Sequence, residues 1–257
     1  MEPAGRRSPS PKRAATNRGR GLIWCATGVL LKDLARPLRD AGIGRLSVHL
    51  DTLNRERFLQ ITRRDDLGRV LEGIDTALAL GLPLKLNAVA VKGLVEDDLV
   101  PLAEFGRERG VEVRYIEFMP LDAQGIWDRN GVLTADEILA ILAEKFGPLV
   151  EIPDRDVRAP ATEYAFSDGV GRIGFIASIS KPFCQNCNRI RLTADGHLRY
   201  CLFAIEETDV KALLRHDSPD SEIAAAIRST VTAKWAGHTI NSSKFVAPPR
   251  PMYAIGG

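Results

Sequence analysis

Between residues 22 and 120 the chain repeats one unit: a short apolar run, then an amphipathic stretch of helix length that stops at a glycine. "LIWCAT" closes at Gly28, and "LLKDLARPLRDAG" runs to Gly42. "RLSVHLD" comes next, then a loop, then "DLGRVLEGIDTALALG" to Gly81. "PLKLNAVAV" is followed in the same way by "EDDLVPLAEFGRERG", ending at Gly110, and "VEVRYIEFM" is the fourth run. Strands that alternate with helices of about 10–15 residues leave few choices: repeated βαβ units on a parallel sheet, an α/β fold. A glycine after each helix supplies the left-handed residue that ends it. The runs are near-continuously apolar, which predicts strands covered on both faces.

After residue 120 the rhythm stops. "LTADEILAILAEKFG" is a helix with Thr134 and Glu137 at capping-box spacing. Shorter, more polar strands are predicted around "TEYAFSD", "GRIGFIAS", "RIRLT" and "HLRYCLF", then helices near 208–216 and 220–234 and the tail "VAPPRPMYAIGG". This is an α+β appendage, with the change near residues 122 to 130. Residues 1–21 are basic, rich in Pro and Ser and without apolar period, so they cannot offset their ordering entropy and are expected to be disordered. Pro3, Pro9 and Pro11 spoil the amphipathic helix that an organellar transit peptide would need. The expected organisation is a basic N-terminus over 1–21, a barrel-like part over 22–125 and a C-terminal domain over 126–257.

A net charge of +2 is too small to argue for nucleic acid. No apolar run reaches the roughly 18 residues of a membrane span. Four cysteines in 257 residues, two of them in Cys-x-x-Cys, point to a reducing, cytoplasmic setting and to metal or redox chemistry instead of disulfides. Three of the four lie in "KPFCQNCNRIRLTADGHLRYCLF": Cys184 and Cys187, then Cys201 after thirteen intervening residues. Spacing leaves three readings open. One is an iron–sulfur cluster on three cysteines, with one iron open to a substrate. Another is a closed zinc site completed by His197. The third is cysteines that merely pack. Arg189 and Arg191 alternate along an extended segment and so share a side. Two guanidinium forks one strand repeat apart suit a phosphate group, although a pair of solvated strand arginines would look the same.

The same segment closely resembles the C-terminal cluster region of the GTP 3′,8-cyclase family, the radical S-adenosylmethionine enzymes that begin molybdenum-cofactor biosynthesis. The resemblance runs from about residue 22 to the end of the chain, through "HLDTLNRERFLQIT", "LKLNAVAVKG", "VRYIEFMPLD", "RIGFIASIS" and "YAIGG". It implies an incomplete (β/α)₆ partial TIM barrel of about four βα units, closed by an α+β C-terminal domain. It implies that Cys184, Cys187 and Cys201 ligate an auxiliary 4Fe–4S cluster. Lys85, Arg189, Ile190, Arg191 and the terminal Gly256 and Gly257 would contact GTP, and Met119 would contact S-adenosylmethionine. The implied reaction converts GTP to (8S)-3′,8-cyclo-7,8-dihydroguanosine 5′-triphosphate.

The chain also departs from the family pattern. Family members begin with a strand and a Cys-x₃-Cys-x₂-Cys loop that binds the cluster cleaving S-adenosylmethionine, followed by a Gly-Gly-Glu-Pro strand; neither motif occurs here. Cys25 stands where the family has the first threonine of Thr-Thr-Asn-Gly, and His49 where it has the serine of Ser-Leu-Asp. The expectation is a member that keeps the GTP and auxiliary-cluster half and is inactive alone, working as a homodimer or with a separate N-terminal fragment. A GTP-binding or zinc-binding remnant without catalysis is the alternative. "LIWCAT" would then be an apolar edge strand, which favours aggregation.

Overall fold

The computed structural model describes residues 22–122, 125–153, 156–234 and 238–255. The expectation of disorder for residues 1–21 lies outside these, as do Gly256 and Gly257. The chain divides into two compact units between Asn87 and Ala88.

In the first unit, β1 (Ile23–Ala26), β2 (Arg45–His49) and β3 (Leu84–Ala90) run in parallel, and β3 crosses the unit boundary. The crossovers are α1 (Leu31–Asp40) and the pair α2 (Arg55–Thr62) and α3 (Leu67–Ala79). Gly42 and Gly81 take positive φ just past α1 and α3, as the sequence predicts. The stretch read as a loop after β2 contains α2. Asn54 caps it by accepting the Arg57 N–H at 3.0 Å, but among its residues only Phe58 is buried, so it carries no apolar stripe. Tight packing sets the helices on the sheet. A Cβ at Gly73 would lie 2.9 Å from the Gly28 carbonyl oxygen and 2.9 Å from Leu31 Cβ, so α1 and α3 meet where no side chain intervenes. The buried face comprises Leu46, Val48, Leu84 and Leu86, with Leu31, Val70 and Ile74 from the helices. The expectation of strands covered on both faces needs correction: β3 alternates fully buried with half-buried residues, leaving Lys85 and Asn87 on the less covered face. Among the described residues β1 ends the strand order, with Leu22 and Ile23 at least half exposed.

In the second unit α4 (Glu96–Arg109) ends at Gly110, φ 66°, and leads to β4 (Glu112–Glu117). The capping box of α5 (Ala135–Phe146) forms as read, with both Thr134–Glu137 contacts present. β5 (Leu149–Glu151), β6 (Thr162–Phe166) and β7 (Arg172–Ile176) are an antiparallel meander. β7 pairs in parallel with β4, Val113 opposite Ile173, so strands assigned to the appendage continue a sheet begun in the barrel-like part. A small antiparallel sheet holds β8 (Arg191–Leu192), β9 (His197–Arg199) and β10 (Thr208–Asp209), followed by α6 (Val210–Arg215) and α7 (Asp220–Ala233). An apolar cluster of Leu121, Val132, Ile179, Phe203, Ile240 and Ile255 forms a core here, with Met119 and Cys201 packed on it. Among the described residues no helix is long and apolar enough to cross a membrane.

Candidate functional site

The three cysteines sit on one hairpin and its lead-in. Cys184–Asn186 form a single 3₁₀ turn, closed by the Cys187 N–H donating to the Cys184 carbonyl at 3.1 Å. The chain then enters β8, turns at Gly196 (φ 89°) and returns through β9 to Cys201. The β8–β9 register pairs Arg191 with Arg199, so residues just before β8 run beside those just after β9. Lys234, at the end of α7, joins the two sides: its ammonium donates to the Arg189 carbonyl at 2.6 Å and to the Tyr200 carbonyl at 2.8 Å. All three thiols are free and half-buried.

Cys201 feels the charges of both Cys184 and Cys187. Burial raises the Cys201 thiol pKa, opposed by the Phe203 N–H, and the nearby Cys184 and Cys187 raise it further. Burial pushes the Cys187 thiol up as well, but the Arg189 N–H and guanidinium, with Lys234, outweigh it and bring the pKa below the usual thiol value. Arg189 donates to Cys187 Sγ from Nε at 3.4 Å and Nη2 at 3.3 Å, with its guanidinium 5.0 Å from the Phe183 ring centre. A cation held on a thiol favours the thiolate, the form that binds metal. Among the described residues no three His, Cys, Asp or Glu side chains are disposed to hold a single ion. A cubane instead takes one thiolate per iron and spaces its ligands more widely. His197 faces Asp195 (3.4 Å) and Asp209 (3.8 Å). Arg191 lies in β8, and Arg189 precedes the strand. Ile190 between them is exposed. Met119 follows β4, its carbonyl accepting the Leu121 N–H at 2.7 Å.

The remaining predicted residues lie in the first unit. Parallel register places Cys25, Ser47 and Lys85 in one row across β1, β2 and β3, and pairs His49 with Asn87 one repeat further on. Side chains two apart share a face. Since Val48 faces the helices, where it would meet a Cβ at Gly28, these residues occupy the opposite, polar face. His49 Nε2 is 2.7 Å from Asp51 Oδ2. Burial works to lower the His49 pKa, but the charge and hydrogen bond of Asp51 outweigh it and the value is raised. A pocket of about 460 Å³ opens at the C-terminal ends of β1 and β2, against α2, lined by Thr27, His49, Asp51, Thr52, Phe58 and Arg64 among others. Ligands of parallel α/β sheets bind at that end.

Sequence reasoning missed Lys234 and also Glu117 and Arg199. Arg199 is fully buried, reaching Glu207 and the carbonyls of Leu202 and Ala204 around the Cys201 turn. The one available signal was a charge inside a predicted strand, Glu117 in "VRYIEFM" and Arg199 in "HLRYCLF".

Two family models match the chain: the radical SAM superfamily over residues 7–106 and Molybdenum Cofactor Synthesis C over residues 111–240. The GTP 3′,8-cyclase of Rhodopirellula baltica is 45% identical over 239 residues, covering 92% of this chain and 67% of that protein. The enzyme of the same name from Streptomyces coelicolor is 44% identical over 250 residues, with 97% and 71% covered. That of Mycobacterium marinum is 47% identical over 250 residues, with 95% and 69% covered.

Proposed function

Because the chain belongs to the GTP 3′,8-cyclase family, one of radical S-adenosylmethionine enzymes with 4Fe–4S clusters in molybdenum-cofactor biosynthesis, we propose that it is a cytoplasmic protein acting on GTP. The family's reaction is conversion of GTP to (8S)-3′,8-cyclo-7,8-dihydroguanosine 5′-triphosphate, to which this chain would contribute the GTP and auxiliary-cluster half. Residues 22–125 form its barrel part and 126–257 its C-terminal domain. Cys184, Cys187 and Cys201 hold a 4Fe–4S cluster; Lys85, Arg189, Ile190, Arg191 and the terminal Gly256 and Gly257 contact GTP; Met119 contacts S-adenosylmethionine. What supports this reading is the placement of three free thiols on one hairpin and its lead-in, with Arg189 on Cys187 and Lys234 bridging the two sides.

When bound, the cluster supplies an iron that a nucleotide base can approach, and cleavage of S-adenosylmethionine supplies the radical. The protein's share is positional. Arg189 favours the Cys187 thiolate, and Arg191 offers a second guanidinium to phosphate oxygens. Lys85 presents an ammonium on the polar face of β3.

Metal analysis after anaerobic reconstitution tests the reading. About four irons and four sulfides per chain are expected, lost in Cys184→Ala, because three of the four cysteines are then committed and Cys25 alone cannot hold a second cubane. One zinc per chain, or no metal, would reject it. Arg189→Ala removes a charged hydrogen-bonding group worth about 1.5–3 kcal/mol, so GTP affinity should fall roughly ten- to a hundredfold by titration. Equal affinities would remove Arg189 from the GTP site.

A further inference from the structure

We infer that Glu117 is a positioning residue for the cysteine site, fixing the backbone that leads into the Cys184–Cys187 turn. Glu117 is the last residue of β4 and only 1% exposed. One carboxylate oxygen accepts the backbone N–H groups of Ile179 and Ser180, each at 2.8 Å. The other accepts the Ala135 N–H at 3.0 Å and the Ser180 hydroxyl. Two oxygens thus gather donors from two segments, the start of α5 and the chain running from β7 to Cys184. A carboxylate is acceptor-only and can meet four donors at once; no neutral side chain of its size can.

The grip is transmitted along the chain. Ile179 has its N–H held by Glu117, its carbonyl held by Asn241 Nδ2 at 3.0 Å, and its side chain 2% exposed in the apolar cluster on which Cys201 packs. Arg129 in turn donates to Asn241 Oδ1 at 3.0 Å. Cys184 follows Ser180 by four residues, and the ties on that stretch are weaker ones: the Lys181 N–H on the Ala177 carbonyl at 3.2 Å, the exposed Lys181–Asp136 pair and the Arg189 guanidinium 5.0 Å from the Phe183 ring centre. Lys234 therefore sets the Cys187 side of the hairpin against the Cys201 side, while Glu117 sets the approach to Cys184. A site that must hold several thiolates at fixed spacing works only when the backbone behind them is preorganised. This inference rests on the cysteines being cluster ligands, as proposed above.

Glu117→Gln keeps the volume and breaks the logic. Wherever the amide NH₂ lies, it faces at least one backbone N–H, which is then left buried and unpaired. Ser180→Ala removes one donor and leaves the other three contacts.

Two readouts decide the matter. In the metal-free protein, hydrogen exchange across residues 177–187 should quicken by about tenfold or more in Glu117→Gln, less in Ser180→Ala, with α6 and α7 unchanged. In the reconstituted protein, iron should leave to a chelator at least about tenfold faster in Glu117→Gln, and the electron paramagnetic resonance spectrum of the reduced cluster should change shape. Unchanged exchange over 177–187, or equal loosening of every segment, would overturn the inference. If the wild type takes up no iron, the cluster reading falls by itself, and with it the functional role of Glu117, while the exchange data still report its grip. Should Glu117→Gln fail to fold, Ser180→Ala decides through the same measurements: no local change in it rejects the role.

Discussion

Residues 22–87 and the cysteine segment from 177 to 204 are held in opposite ways. The first is a parallel ladder backed by helices: Ile23 to Ala26 pair with Arg45 to Val48, and Leu46 to His49 with Leu84 to Asn87. Apolar side chains from α1 and α3 cover one face, and many small contacts share the work. The cysteine segment has two short strand pairings and relies on single polar side chains gripping backbone groups: Glu117, Arg199, Lys234 and Asn241. Shared apolar contacts degrade gradually, whereas a buried polar anchor fails all at once because its partners lose both a bond and their solvent. Single substitutions should therefore separate the two regions.

The largest effect is expected from Arg199→Met. Arg199 is fully buried and pairs with Glu207, a carboxylate shared with Arg250 at 2.9 Å, while also holding the Leu202 and Ala204 carbonyls. Breaking one side of a buried pair typically costs about 3–5 kcal/mol. Denaturant unfolding measures it, and a loss under about 1 kcal/mol would mean that Arg250 alone holds the turn. In the first region the comparable weak point is steric. Gly73→Ala puts a methyl 2.9 Å from a backbone oxygen and 2.9 Å from Leu31 Cβ, and overpacking of this kind costs about 1–3 kcal/mol. If Gly73→Ala proved the more damaging, the contrast between distributed and single anchors would be wrong.

The same contrast explains what could be read from residues alone. The βα rhythm was legible because periodicity and the glycines at 42, 81 and 110 are local signals. Thr134 and Glu137 announced the α5 start for the same reason. α2 was missed because its cap, Asn54, is a single residue and its one buried side chain makes no stripe. In the site, Cys184, Cys187 and Cys201 could be singled out by their spacing, and one hairpin with its lead-in carries all three. Lys234 was not, since a lysine at a helix end gives no hint that it will reach two carbonyls, one 45 and one 34 residues away. Glu117 and Arg199 act on backbone groups, which carry no residue identity, so nothing in the sequence points to their targets.

A smaller effect belongs to the polar face of the first region. With the His49 pKa raised by Asp51, the pair's contribution is complete below the unfolded histidine value near about 6.5 and is lost as pH rises through the folded value. The His49 side chain is 44% exposed, so the contribution is under about 1 kcal/mol. In Asp51→Asn the opposing effect of burial remains alone. The imidazole should then titrate below about 6.5, against above it in the unaltered protein, by NMR of the ring protons. Titration at the same pH in both proteins would show that the pair does not govern this face.

The smallest effect tests a local anchor inside the second unit, where the contrast predicts gradual behaviour again. Glu137 accepts the Thr134 N–H at 2.8 Å and the Lys92 ammonium at 2.7 Å. Lys92, then the Thr134 N–H and hydroxyl, hold its carboxyl down to about 2. A depressed carboxylate stabilises the fold above its unfolded value near about 4.3, and that contribution fades as pH falls toward the folded one. The side chain is 41% exposed, so the solvent-screened total is about 1 kcal/mol, the size of an ordinary helix cap. Glu137→Ala should cost that much near neutral pH, and its gap from the unaltered protein should narrow between about pH 5 and about pH 3 in urea unfolding. Glu137→Gln, which can still accept the Thr134 N–H but lacks the charge, should cost less and show a flatter dependence on pH. A loss from Glu137→Ala as large as that from Arg199→Met would mean that exposure does not separate the anchors. Burial, not the number of hydrogen bonds, is what makes Arg199 and Glu117 decisive: water can replace Glu137 on the start of α5, whereas the Arg199 and Glu117 side chains are themselves sealed from it.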